Sequence, residues 1–159
     1  MSTRGYVGIR KNGEDKGGYN HYDSYPDGLG VSVLKYIKNN TLESLEEDFN
    51  KITLEKYNTR EDAWTYGDCL NVNMNVCNEF LYDSLFCEYA YIINLDTNML
   101  EFYTGFNKDP NANGRYAKFT VYERDPDDRY YGVVLKMEIP LEEIFKDEWK
   151  VDNDEFVKK

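Results

Sequence analysis

Alternating apolar and polar positions open the chain. Tyr6-Val7-Gly8-Ile9-Arg10 and Gly18-Tyr19-Asn20-His21-Tyr22 read as two short strands joined across Lys11-Asn12-Gly13-Glu14, where Asn-Gly marks a tight hairpin turn. Tyr25-Pro26-Asp27-Gly28 breaks that pattern, and Val33, Leu34 and Ile37 then share one helical face, with Pro26 or Asp27 near the helix start. A second helix follows. Thr41 can cap it, Ser44-x-x-Glu47 reads as a capping box, and Leu42, Leu45, Phe49 and Ile52 recur at helical spacing above an acidic face.

Residues 57–77 carry many Asn, Asp and aromatic residues without period, so they read as loop, with a helical turn near Thr59-Arg60-Glu61-Asp62. Asn78 to Phe86 reads as a short helix. The chain then turns to sheet. Tyr89 to Leu95 alternates, Asp96-Thr97-Asn98 turns, and Leu100 to Phe106 returns beside it, both strands apolar on both faces. Lys118 to Glu123 and Tyr130 to Ile139 read as another pair, joined across Arg124-Asp125-Pro126-Asp127-Asp128-Arg129. Pro140 is placed to begin a helix that carries Leu141, Ile144 and Phe145 inward, and a charged tail with Trp149 and Phe156 closes the chain. Hairpins interrupted by helices predict a single α+β domain, with a mainly antiparallel sheet and helices packed on one face. Its parts are a hairpin-loop-helix (1–39), a helical middle (40–86), the sheet (87–139) and a terminal helix and tail (140–159).

Composition narrows the function classes. The 159 residues suit one domain, and 41% hydrophobic and 16% aromatic residues, 15 of them Tyr, are too much ring and apolar surface for a disordered chain. The formal charge is −11, which disfavours general nucleic-acid binding because a phosphate backbone would be repelled. Residues 1–38 hold six Lys/Arg against four Asp/Glu, so the remaining thirteen against twenty-six place a balance of −13 on residues 39–159. An acidic face of that kind serves solubility, or competes for a basic groove on a partner by imitating phosphates. No apolar run approaches the roughly 20 residues that cross a bilayer, and no leader pattern opens the chain. With three cysteines at unpatterned spacing, Cys69, Cys77 and Cys87, the expectation is a soluble cytosolic protein with reduced thiols.

The densest polar chemistry is Asn20-His21-Tyr22-Asp23-Ser24-Tyr25, which holds the one histidine and runs into Gly28, Gly30 and the first helix. A helix start offers free N–H groups, so this corner could hold an anion such as a nucleotide phosphate, with Arg4 neutralising charge. On that reading His21 serves as acid or base, Asp23 orients it and Ser24 donates. As strand residues, however, His21 and Asp23 would share one face and Tyr22 and Ser24 the other. The competing reading is that these groups satisfy one another and the turn backbone. Tyr22, Tyr25, Tyr130 and Tyr131 are the tyrosines expected at the surface, where such rings bind partners.

Asp109-x-Asn111-x-Asn113-Gly114 copies the start of a calcium loop, but its twelfth position is Thr120 instead of Glu, so a polar turn is expected. Asp125, Asp127 and Asp128 form an acidic turn, read as acidic surface; the three cysteines with His21 match no zinc spacing. The sequence therefore implies no metal and no cofactor.

The segment Thr3-Arg4-Gly5, with Tyr19-Asn20-His21-Tyr22-Asp23-Ser24-Tyr25-Pro26 and Leu29-Gly30, resembles a group of small phage and bacterial proteins that open on TRG and carry YNHxDSYPxxLG. The likeness is tight over about the first 30 residues and looser over Ala90 to Asp96. It brings no activity with it. It implies a setting: an accessory phage product that binds and inhibits a host protein, such as a nucleic-acid-binding effector of antiviral defence. A fainter likeness, to amidotransferases with an N-terminal nucleophile, meets Ser2 where those enzymes carry Cys. The expected function is thus non-enzymatic binding through an acidic, Tyr-rich surface. The alternatives are a nucleotide or small-anion site at the corner, and a structural or assembly role.

Overall fold

The N-terminal hairpin forms as its sequence dictates. In a computed structural model that describes residues 3–51, 78–122 and 126–159, strand β1 (Gly5–Lys11) pairs antiparallel with β2 (Glu14–Asn20). The two turn residues, Asn12 and Gly13, sit at φ 53° and 73°, the left-handed pair that a tight hairpin requires. Asp96 fastens this turn: its carboxylate accepts the Asn12 N–H at 2.7 Å and the Gly13 N–H at 2.9 Å.

Beyond β2 the chain makes a π-type turn over Pro26–Gly30 before α1 (Val31–Lys38), so Pro26 precedes the α-helix instead of starting it. Helix α2 (Leu42–Lys51) is capped at Thr41, as expected, but its reciprocal partner is Ser44. The Ser44 N–H donates to Thr41 Oγ1 at 3.1 Å and the Thr41 N–H to Ser44 Oγ at 2.8 Å, one turn earlier than the Ser44/Glu47 reading. Leu42, at the start of that helix, stays exposed. Residues 57–77, with Cys69, Cys77 and the turn at 59–62, lie outside the described residues. Asn78–Tyr82 is a short 3₁₀ segment.

Strands β3 (Tyr89–Asn94) and β4 (Met99–Thr104) form the second hairpin, and β5 (Val134–Pro140) pairs with β4. The sheet order is β2-β1-β3-β4-β5, antiparallel except for the β1/β3 contact. The pair expected between Lys118–Glu123 and Tyr130–Ile139 is therefore corrected: residues 118–122 form no strand, and Phe119 and Val121 project into solvent. After β5, Pro140 caps α3 (Leu141–Lys146), and the tail folds into a hairpin, β6 (Trp149–Asp152) with β7 (Glu155–Lys158).

This is an α+β domain in two layers. Register puts Val7, Tyr91 and Phe102 in one lateral row and Ile9, Ile93, Leu100 and Ile139 in the next, on the face covered by α1, α2, α3 and Phe156 of the tail. The opposite face carries Tyr6, Ala90, Ile92 and Tyr103, covered by Leu81, Cys87, Tyr116 and Val133 from less regular segments. Both faces of the central strands are buried, which explains their apolar runs.

Candidate functional site

The corner at 20–30 is held together by its own polar groups. Strand β2 ends at Asn20, so His21 to Tyr25 do not alternate as strand residues, and Asp23 takes a left-handed φ of 52°. Asn20 and Ser24 are buried; Asn20 Nδ2 donates to the Tyr22 carbonyl at 2.6 Å and to Ser24 Oγ at 2.8 Å. The Ser24 carbonyl accepts the Tyr91 hydroxyl at 2.7 Å, tying the corner to the sheet. His21 Nδ1 pairs with the Tyr19 hydroxyl, its ring meets Tyr22 edge-on, and Asp23 accepts the Tyr25 hydroxyl at 3.2 Å. His21, Asp23 and Ser24 thus turn to three different partners.

The N–H groups at the turn are already given. Gly28 N–H donates to the Tyr25 carbonyl and Leu29 N–H to the Asp23 carbonyl, both at 2.9 Å. A Cβ on Gly28 would lie 2.3 Å from the Asp23 carbonyl oxygen, so this glycine serves close backbone packing. Gly30 meets Phe156 and Tyr91 in the core. The Arg4 guanidinium lies 5.5 Å from the centre of the Phe86 ring, and the Arg4 backbone N–H donates to Glu88 Oε2 at 3.0 Å.

Around this corner one end of the sheet gathers exposed rings. Asn20 ends β2 and Thr104 ends β4, while β1, β3 and β5 begin there. On the adjoining loops Tyr22 is 61% exposed, Phe106 59%, Phe86 45% and Tyr25 37%. Of the tyrosines expected outside, Tyr130 is half-buried and Tyr131 is buried. Asp127 and Asp128 are exposed, and Asp125 lies outside the described residues. The calcium-like loop is a polar turn in which Asp109 accepts the Asn111 N–H at 2.8 Å. Among the described residues no group of three His, Cys, Asp or Glu is placed to hold a metal ion, and no helix is long and apolar enough to cross a membrane.

A second constellation, which the sequence reading missed, lies on the sheet face opposite the helices. Register aligns Arg10 with Asp15 on one side and Asn94 on the other, with Glu101 one lateral row away. Glu101, 4% exposed, accepts Arg115 Nη1 at 2.8 Å and Nη2 at 2.7 Å, Asn94 Nδ2 at 3.1 Å and the Tyr103 hydroxyl at 2.9 Å. Asp15 Oδ2 accepts Arg10 Nη1 at 2.9 Å and the Tyr116 hydroxyl at 2.7 Å. Burial alone would raise the Glu101 carboxyl, but the bonds from Arg115 and Asn94 outweigh it and hold its pKa below the usual value. Burial, with Asp15 beside Tyr116 and Glu101 beside Tyr103, pushes both phenols up, so they remain proton donors. Asp15 Oδ1 and Arg115 Nε are buried with no hydrogen-bond partner. The one available sequence signal is Glu101 itself, a lone carboxylate inside Met99-Leu100-Glu101-Phe102-Tyr103, because a charge in a buried strand demands a partner.

Cys87, fully buried, has its thiol pushed up by burial and is no nucleophile. No known family model, curated protein or solved structure matches this chain.

Proposed function

We propose that this chain acts by binding another protein, in the manner of a small phage inhibitor that occupies a basic surface on a host defence factor. The observation that carries this reading is the set of exposed rings at one end of the sheet: Tyr22, Tyr25, Phe86 and Phe106. Large rings held in water on loops fixed to a rigid sheet have the make-up of an interface centre. Beside them an open groove of about 510 Å³ is lined by Tyr89, Phe102 and Phe156 together with Asp154 and Glu155. The half-buried Tyr89 ring, with Asp154 and Glu155 on the same groove, suits the guanidinium or ammonium of a partner's Arg or Lys. Asp23 and Asp27 are exposed nearby, and the net charge of −11 would steer a basic surface inward.

The test presents the tagged chain to a bacterial lysate at low and at high salt, beside a Tyr22→Ala/Phe106→Ala variant and a Glu142→Ala control on α3. A protein retained at low salt by the wild type and the control, released by high salt and lost with the double variant, is the expected result. No retention at low salt, or retention indifferent to the double variant, overturns the reading.

A further inference from the structure

The Arg10–Asp15–Glu101–Arg115 network borders an open groove of about 490 Å³ whose walls include Glu14, Tyr82, Lys118 and Phe119. This groove lies on the face opposite the helices, apart from the exposed rings at the sheet end, and stands independently of the reading above. Glu101 is fully engaged, but the rest of the network is not. Among the described residues, Arg10 gives one hydrogen bond, from Nη1 to Asp15, while Lys118 and Glu14 form no ion pair. Asp15, 8% exposed, leaves Oδ1 with no hydrogen bond, with Arg115 Nη2 3.9 Å away; Arg115 in turn leaves Nε unpartnered. Orphaned donors and acceptors are costly inside a protein, and a network that carries one of each beside a groove is short of a partner offering both.

The lining also states what kind of partner. Arg10, Arg115 and Lys118 line the groove with Asp15 and Glu14, so it offers charges of both signs to a ligand that carries both. Tyr82 and Phe119, their ring centres 4.7 Å apart and their planes tilted by 34°, add an aromatic wall. Asp15 and Arg115, which carry the two orphaned atoms, both line the groove. We propose that this groove binds a free α-amino acid as its zwitterion. The ammonium is received by Asp15 Oδ1, the carboxylate by Arg10 and Lys118, and a ring-bearing side chain by Tyr82 and Phe119. A peptide separates its two charged ends by its whole length, whereas a free amino acid carries both on one carbon.

The experiment is calorimetric titration of the intact chain with phenylalanine, N-acetylphenylalanine and phenylalaninamide, repeated with a Lys118→Ala variant, whose exposed side chain can be removed without disturbing the core. Saturable binding of phenylalanine is expected, with each capped derivative and the variant at least about tenfold weaker, the loss that follows removal of a charge-assisted hydrogen bond. No binding of phenylalanine, or equal affinity for either capped form, overturns the assignment. So does equal affinity in the Lys118→Ala variant.

Discussion

Replacing Arg115 with Met isolates the charge at the centre of the polar network. Glu101 is 4% exposed and loses two charge-assisted bonds, at 2.7 and 2.8 Å, together with its countercharge, while Asn94 and Tyr103 remain. Breaking one side of a buried pair costs about 3–5 kcal/mol, because the other charge is left uncompensated. Arg115 is 29% exposed, so part of its attraction is screened and the lower end, about 3 kcal/mol, is expected. Against a total stability of about 5–15 kcal/mol that is a large fraction. Glu101→Leu/Arg115→Met together should cost less than Arg115→Met alone, since no charge remains stranded. Urea unfolding followed by intrinsic fluorescence gives the four stabilities, of the wild type, Arg115→Met, Glu101→Leu and the double variant, from midpoint and slope. The pH dependence adds a second check. Without the guanidinium, burial dominates Glu101 and raises its folded-state pKa, so the folded variant takes up a proton and its penalty shrinks as pH falls. A penalty below about 1 kcal/mol near neutral pH, the range of an exposed pair, would refute the reasoning. A double variant that matches the sum of its single changes would do the same.

Gly28→Ala drives a Cβ to within 2.3 Å of the Asp23 carbonyl and should lower stability by about 1–3 kcal/mol, read as a fall in thermal midpoint; an unchanged midpoint would show that the corner has slack. Phe156, 2% exposed, meets Tyr91 and Phe102 edge-on, so Phe156→Ala should cost about 3–5 kcal/mol and release the tail hairpin, seen as a red shift of fluorescence from nearby Trp149. The Gly13 and Asn12 N–H groups hold the Asp96 pKa below its usual 3.8. Its stabilisation is therefore present above the ordinary carboxylate range and lost as pH falls through the folded pKa, so the gap between wild type and Asp96→Asn should close in acid. A gap that stays constant with pH would contradict the clamp.

What the sequence disclosed and what it hid follow from the range of the interactions. The two long hairpins and α1 were legible because Asn12-Gly13 and the alternations around them are local. The partner of β5 was not, since Phe119 and Val121 mimic strand alternation while the true pairing joins Val134–Pro140 to Met99–Thr104. At the corner, the density of polar groups suggested chemistry, yet Asn20 and Ser24 spend their hydrogen bonds on each other and on the turn. The network around Glu101 was hidden for the opposite reason. Its members come from separate stretches of chain, and Tyr116 reaches Asp15 across 101 positions, which no local pattern records.

The central claim, docking through the rings at the sheet end, is tested most directly by hydrogen exchange of the chain alone and in complex with the protein it retains. Slowed exchange confined to residues 21–28, 86–88 and 104–108 is the expected result. Protection confined to α1, α2 and α3, with those loops exchanging as in the free chain, would contradict it.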